Sequence, residues 1–299
     1  MRRLFSDFSD DLEQATSVRQ ASEINARGKI AVFIHTEALL IGNDLAVLRG
    51  YHGLGLRCSG LVHNAPLDWV DNDHEQRDPG GLTDFGRRVV REMNALHMVI
   101  DASHASQQAV RDVLQESKHP IVASHSNAKQ LSSIQRNLTD EQIKGIAAGG
   151  GVIGIHCSSA FVDIDCLRGR KNIYGAQYGT SRLDMVDKVR VPGAIDPFGY
   201  EVEMRNQYAP PGAEEPIFPT TDLERLIDHV DYVVDLVGVD HIGIGTDFQF
   251  LEDVVVDFDD AGKTPNVTQA FLNRGYSAAD IEKILGKNFL RVMKEVIGE

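Results

Sequence analysis

Six short apolar runs, each closed by a polar residue, constrain this chain more than any other feature. They are Ile30–Ile34, Gly60–His63, Met98–Asp101, Pro120–Ala123, Gly151–Ile155 and His241–Gly245. Stretches of helical periodicity separate several of them, and this alternation is the signature of βα units around a parallel sheet. Leu82–Leu96 predicts a helix with Thr83 as its N-cap, and Ser106–Glu116 a second. Thr139 and Gln142 have the spacing of a capping box at the head of a third. Thr221–Val237 ends at Gly238, Ser277–Ile297 closes the chain, and Leu12–Ala26 predicts a helix after a polar N-terminal arm. Residues 157–220 break the rhythm: they are rich in Gly, Pro and Tyr, and so long a connection predicts a lid or binding loop within a single domain spanning 1–299.

Charge and composition narrow the function classes. The formal net charge is −14, from 44 acidic against 30 basic residues. That balance argues against nucleic acid or an anionic membrane surface as partner, because phosphate binding runs on clustered Lys and Arg. Cys58, Cys157 and Cys166 form no CxxC pair and are odd in number, so a reducing, cytoplasmic setting is expected. No apolar run reaches the roughly 18 residues of a membrane span, and the acidic Ser6–Asp11 stretch after Arg2-Arg3 is no signal-peptide core.

Residues of metal-ligand type recur just past the apolar runs. In "HPIVASHSNAKQL" His125 follows the end of a buried strand, and a helix is expected over Asn127–Leu131. His104 follows Asp101 in "VIDASH", Glu37 trails Ile34, His63 ends "GLVH", and Asp247 follows Gly245 in "GIGTDF". In a (β/α) barrel the carboxyl ends of the strands share one face, which carries the active site. Imidazoles and a carboxylate meeting there suit zinc, which lowers the pKa of a bound water, and a carboxylate such as Asp247 would then take the proton. Each residue has a structural alternative. A lone histidine at a strand exit is more often a hydrogen-bonded core residue, Asp247 would cap a turn, and Glu37 would be a solvated loop residue. His229 and Asp231 have H-x-D spacing but sit mid-helix, where i and i+2 do not share a face, so they are assigned a structural role. His52, His74, His97 and His119 have no partner pattern.

"GLTDFGRRVVREMNALHMVIDASHAS", "PIVASHSNAKQLSSIQRNLTDEQIKGIAAGGGVIGI" and "LVGVDHIGIGTDF" closely resemble the renal (membrane) dipeptidase family, and "GKIAVFIHTEALLIGNDLAVLRGYHGLGLRCSGLVHN" resembles it more loosely. The resemblance implies a zinc-dependent dipeptidase on an amidohydrolase-like TIM barrel, with one or two zinc ions and a dipeptide-like small molecule as substrate. By the same resemblance Glu37 is the carboxylate bridging two ions, and His104 and His125 complete the second. His63 polarises the scissile carbonyl, Arg136 clamps the substrate carboxylate, and Asp247 handles the water proton and the substrate amino group.

The sequence also departs from the family pattern. Family members begin with a strand carrying an H-x-D pair, the other ligands of the first zinc. Only 27 residues precede Gly28 here, and they hold no histidine. About two N-terminal strands are therefore expected to be missing, through truncation, a second chain that supplies them, or true shortening. Unpaired sheet edges then favour a homo-oligomer or a completing partner chain. Ala38 stands where the family has Gly, and "TDFQF" where it has "SDFDG". Three functions remain in competition: a metal-dependent dipeptidase-like hydrolase, a divergent lyase or hydrolase acting on a small carboxylate, and a non-catalytic subunit of a hetero-oligomer.

Overall fold

The computed structural model describes residues 2–73, 80–169, 218–248 and 253–299. Seven parallel strands form one sheet in the order of the chain: β1 (Leu12–Ala15), β2 (Ile30–Thr36), β3 (Leu56–Gly60), β4 (Val99–Asp101), β5 (Val122–Ala123), β6 (Val152–His156) and β7 (Ile242–Gly245). The sheet curls into a half-barrel of TIM-barrel-like α/β type. The connecting helices, in chain order, are α1 (Arg2–Asp7), α2 (Val18–Ala26), α3 (Leu45–Gly53), α4 (Asp84–Ala95), α5 (Gln107–Glu116), α6 (Asp140–Ala148), α7 (Ser159–Val162), α8 (Leu223–Val237), α9 (Thr264–Asn273), α10 (Ala278–Glu282) and α11 (Asn288–Ile297). Among the described residues no helix is long and apolar enough to cross a membrane.

The local chemistry explains most of these boundaries. Thr83, Ser106, Thr139 and Asp222 cap their helices by accepting amides one turn in, and Thr139 with Gln142 completes the capping box. Val89, Val90 and Met93 of α4, Ile143 and Ile146 of α6, and Leu226, Val230 and Val233 of α8 are fully buried in the main core. Each contributes roughly 1.5–3 kcal/mol by leaving water.

Three expectations need correcting. Leu12–Ala26 is not one helix: Leu12–Ala15 is the edge strand β1, paired in parallel with Ile30–Phe33 of β2, and only Val18–Ala26 is helical. Among the described residues the sheet thus has seven strands where the sequence suggested six. The third strand is Leu56–Gly60, which shares only Gly60 with the expected Gly60–His63; Arg57, whose guanidinium reaches the carbonyls of Thr16 and His52, interrupts its apolar pattern and hides it in the sequence. Asn127–Leu131 forms no helix. The Asn127 side chain instead brackets the backbone of His156, donating to its carbonyl (3.2 Å) and accepting its amide (3.0 Å), and so prolongs the β5–β6 pairing. Of the segment 157–220, residues 170–217 lie outside the described residues, as do His74 and the Gln249-Phe250 half of "TDFQF".

Period-two alternation along the strands places the site. The members nearer the strand starts, Phe33, Cys58, Val99, Val122 and Val152, cluster with Val292, Met293 and Val296 of α11. Two residues further along β2, β4 and β6 stand His35, Asp101 and Gly154 in place of apolar side chains. An apolar floor therefore lies beneath a polar layer at the carboxyl ends of the strands.

Candidate metal centre

Two glycines allow the ligand-bearing backbones to approach. A Cβ on Gly60 would lie 2.1 Å from the carbonyl oxygen of Glu37, and one on Gly245 would lie 1.8 Å from that of Ser124. Both distances are far inside van der Waals contact, so glycine is required where β3 passes Glu37 and where β7 passes the segment leading to His125. His104 and Asp247 both adopt left-handed backbone conformations, with φ of 66° and 50°. Such strain costs on the order of 1–3 kcal/mol and gathers at functional sites.

Five of the six residues expected at the site are brought together as candidate ligands. Glu37, His63 and His104 form one group able to hold a metal ion, and Glu37, His125 and Asp247 form another, each with its ligand atoms within 4.8 Å of one another. Glu37 belongs to both groups. Its carboxylate lies 3.0 Å from His63 Nε2. The Glu37 and Asp247 side chains keep 27% and 24% of their surface exposed, whereas the His63 side chain keeps 8% and His104 and His125 are buried. The imidazoles therefore form the buried wall, and the carboxylates stand nearer solvent.

The donor set suits a divalent cation. His104 Nε2 and His125 Nε2 face each other at 3.0 Å. Two nitrogens bound to one tetrahedral zinc at about 2.0–2.1 Å are separated by roughly 3.3 Å, close to that spacing. Burial, reinforced by Arg136, holds both rings well below the ordinary histidine pKa and so keeps them in the neutral, ligating form. Nδ1 of His104 is buried without a hydrogen-bond partner among the described residues. In the metal-free protein one of the facing Nε2 atoms must carry a proton; a cation between them removes that need and lets His104 carry its proton on Nδ1.

Arg136, the sixth residue, lies against the same wall, donating from Nη1 to Ser126 Oγ and from Nη2 to the His125 carbonyl, both at 2.8 Å. Nε of Arg136 is buried with no partner among the described residues, and burial lowers the guanidinium pKa from its ordinary value. A buried cation with an unused N–H is suited to a carboxylate ligand.

His35, Asp101, Ser124 and His156 were not singled out from the sequence. His156 is 2% exposed; its Nδ1 accepts the Ser158 amide at 2.8 Å, so Nε2 carries the proton and donates to Asp247 Oδ2 at 3.1 Å. Burial alone would raise the Asp247 pKa, but His156, with His125 and Arg136, holds it below the usual carboxylate value. Asp101 is wholly buried, which also favours the neutral acid, yet His35 with His125 and Ser124 holds it ionised far below the carboxylate range. A charged residue ending the buried run Val99-Ile100-Asp101 was the one sequence signal available for this layer.

A parallel α/β half-barrel with imidazoles and carboxylates gathered at its strand ends places a candidate metal site on the face where barrels of this type carry their active sites. Residues 1–298 match the family described as membrane dipeptidase, peptidase family M19. Dipeptidase tcpJ of Claviceps purpurea (strain 20.1) is 30% identical over 298 residues, covering 99% of this chain and 58% of that protein. Dipeptidase verJ of Clonostachys rogersoniana is 29% identical over 295 residues, covering 98% and 62%. Among solved structures, the probable dipeptidase PvdM from Pseudomonas aeruginosa superposes with a TM-score of 0.80 at 31% identity, covering 99% of this chain and 76% of that one. The dipeptidase AC, a metallo peptidase of family M19, gives 0.71 at 25% identity, covering 96% and 72%. The chain belongs to the membrane dipeptidase family. It spans 58% to 62% of the length of these curated relatives.

Proposed function

We propose that this chain is a metal-dependent hydrolase of dipeptidase type, acting on a dipeptide or a closely related small amide. The observation that carries the reading is the convergence of Glu37, His63, His104, His125 and Asp247 from the ends of five strands into two donor groups that share Glu37. Zinc is the ion that fits best, with Glu37, His104 and His125 as its holders. When bound it would supply a water acidified toward neutral pH. Asp247, ionised and engaged by His156 at one oxygen, takes up a proton. His63 steadies the carbonyl oxygen of the scissile bond, and Arg136 holds the substrate carboxylate, its Nε being among the donors not taken up by Ser126 and His125. The reading treats 1–299 as one catalytic unit with 157–220 as its lid. Three unpaired cysteines support a cytoplasmic setting, and the edge strand β1 supports self-association or pairing with a further chain.

Elemental analysis of the purified chain and assay of a panel of L,L- and L,D-dipeptides test the proposal together. About one zinc or more per chain is expected, with release of free amino acids and at least a hundredfold loss of turnover in His104→Ala. A metal-loaded chain that cleaves no member of the panel removes the dipeptidase reading; a chain that takes up no metal at saturating zinc favours the non-catalytic subunit.

A further inference from the structure

The residues behind the candidate ligands form a continuous hydrogen-bonded chain. Asp101, at the end of β4, accepts the amides of Ser103 and Ser124 at Oδ1, each at 2.9 Å. Its Oδ2 accepts His35 Nε2 at 3.0 Å and the Ser124 hydroxyl. An ionised carboxylate only accepts, so the single hydroxyl proton of Ser124 belongs to the bond with Asp101. Ser124 Oγ also lies 2.7 Å from His125 Nδ1. With its proton spent on Asp101, that oxygen must accept, which places the proton of neutral His125 on Nδ1. Nε2 is left with its lone pair, and Nε2 is the atom that faces His104 at 3.0 Å. Ser103 Oγ fixes the other end of the residue by accepting the His125 amide at 3.1 Å.

We propose that His35, Asp101 and Ser124 are positioning residues that lock His125 in the tautomer presenting Nε2 to a divalent cation. The inference rests on the metal-centre reading above and assigns a role to side chains outside the ligand set. Without an acceptor at Nδ1, a neutral imidazole divides its population between two tautomers, and the Nε2–H form cannot ligate. Hydrogen-bond partners of ligating histidines change metal affinity by about 10- to 100-fold when removed. The relay also joins the ends of β2, β4 and β5, so one buried carboxylate sets the ligand-bearing ends of three strands against each other.

Cobalt(II) titration of the metal-free full chain, followed by visible absorption, provides the test. Ser124→Ala is expected to bind cobalt about 10- to 100-fold more weakly than the wild type, while Ser124→Thr, which keeps the hydroxyl, stays near the wild-type value. Urea unfolding of the metal-free proteins, run in parallel, separates a loss of affinity from a loss of stability. Equal cobalt affinity for wild type and Ser124→Ala, with or without a stability difference, overturns the relay and leaves the metal centre standing. A wild type that binds no cobalt overturns both.

Discussion

Two buried histidines outside the ligand set show how one residue type serves different ends. His156 joins the Ser158 amide to Asp247, so His156→Leu leaves the buried Ser158 N–H and the partly buried Asp247 carboxylate each without this partner. Unmade bonds of this kind cost about 1–3 kcal/mol each. On a dipeptide that the wild type cleaves, kcat is expected to fall tenfold or more with KM little changed, and steady-state kinetics showing unchanged kcat would remove His156 from the site. His229 is structural, as its mid-helix position implied. Its Nδ1 accepts the Ala128 amide at 3.1 Å, and Nε2 donates to the Val162 carbonyl at 2.9 Å. Burial pushes its pKa down to about 4; Val162 and the charges of Asp228 and Asp163 oppose this, and Arg225 adds to it. In the unfolded chain the ring titrates near 6.5. As pH falls the unfolded state takes up the proton first, so this contribution is complete above about 6.5 and is lost progressively down to about 4. Roughly 3 kcal/mol is at stake at about 1.4 kcal/mol per unit. Urea unfolding at pH 7 and pH 5 is expected to give a smaller stability loss in His229→Gln than in the wild type; parallel losses would clear His229. The sequence pointed to the donors Glu37, His63, His104, His125 and Asp247 because each follows an apolar run. It did not disclose Asp101, Ser124 or His156, whose roles lie in the proton positions of residues up to 91 positions away in the chain.

At the scale of elements, caps were legible and edges were not. Thr83, Thr139 and the Gly238 stop depend on neighbours within one turn, and all stand where the sequence put them. β1 was missed because "LEQA" has neither β-branched residues nor apolar alternation. Its strand conformation comes from parallel pairing with β2, a contact that local propensity does not encode. The turn after His125 was misread because Asn127 spends its amide on the backbone of His156 instead of opening a helix. Glycines at strand ends carry a further consequence. Gly60→Ala drives a methyl group to within 2.1 Å of the Glu37 carbonyl oxygen, a backbone atom with no rotamer to yield. A destabilisation of at least about 1–3 kcal/mol is expected, as for other overpacked sites, together with weakened metal binding as Glu37 is displaced. Urea unfolding and metal titration of the variant check both, and a variant matching the wild type in each would show that β3 and the Glu37 segment separate at little cost.

For the molecule as a whole, the candidate ligands come from segments that meet only when the half-barrel is formed: Glu37 after β2, His63 after β3, His104 after β4, His125 after β5 and Asp247 after β7. The unfolded chain has no such constellation, so a metal that binds here acts as a ligand of the native state alone. Its stabilisation grows as the logarithm of metal concentration over Kd and reaches about 2.7 kcal/mol at a hundredfold excess. With roughly 2–4 °C of Tm per kcal/mol for chains of this order of size, saturating zinc is expected to raise Tm by about 5–10 °C over a chelated sample. The rise should shrink in His104→Ala and His125→Ala, which each remove one of the two facing nitrogens. It should persist in His229→Gln, because the wild-type ring is engaged by Ala128 and Val162 and belongs to neither donor group. Differential scanning calorimetry with zinc and with chelator measures the shift directly. A Tm indifferent to zinc would mean that the five side chains gather for the stability of the fold alone, because a cation held by three protein ligands cannot leave the folding equilibrium unmoved.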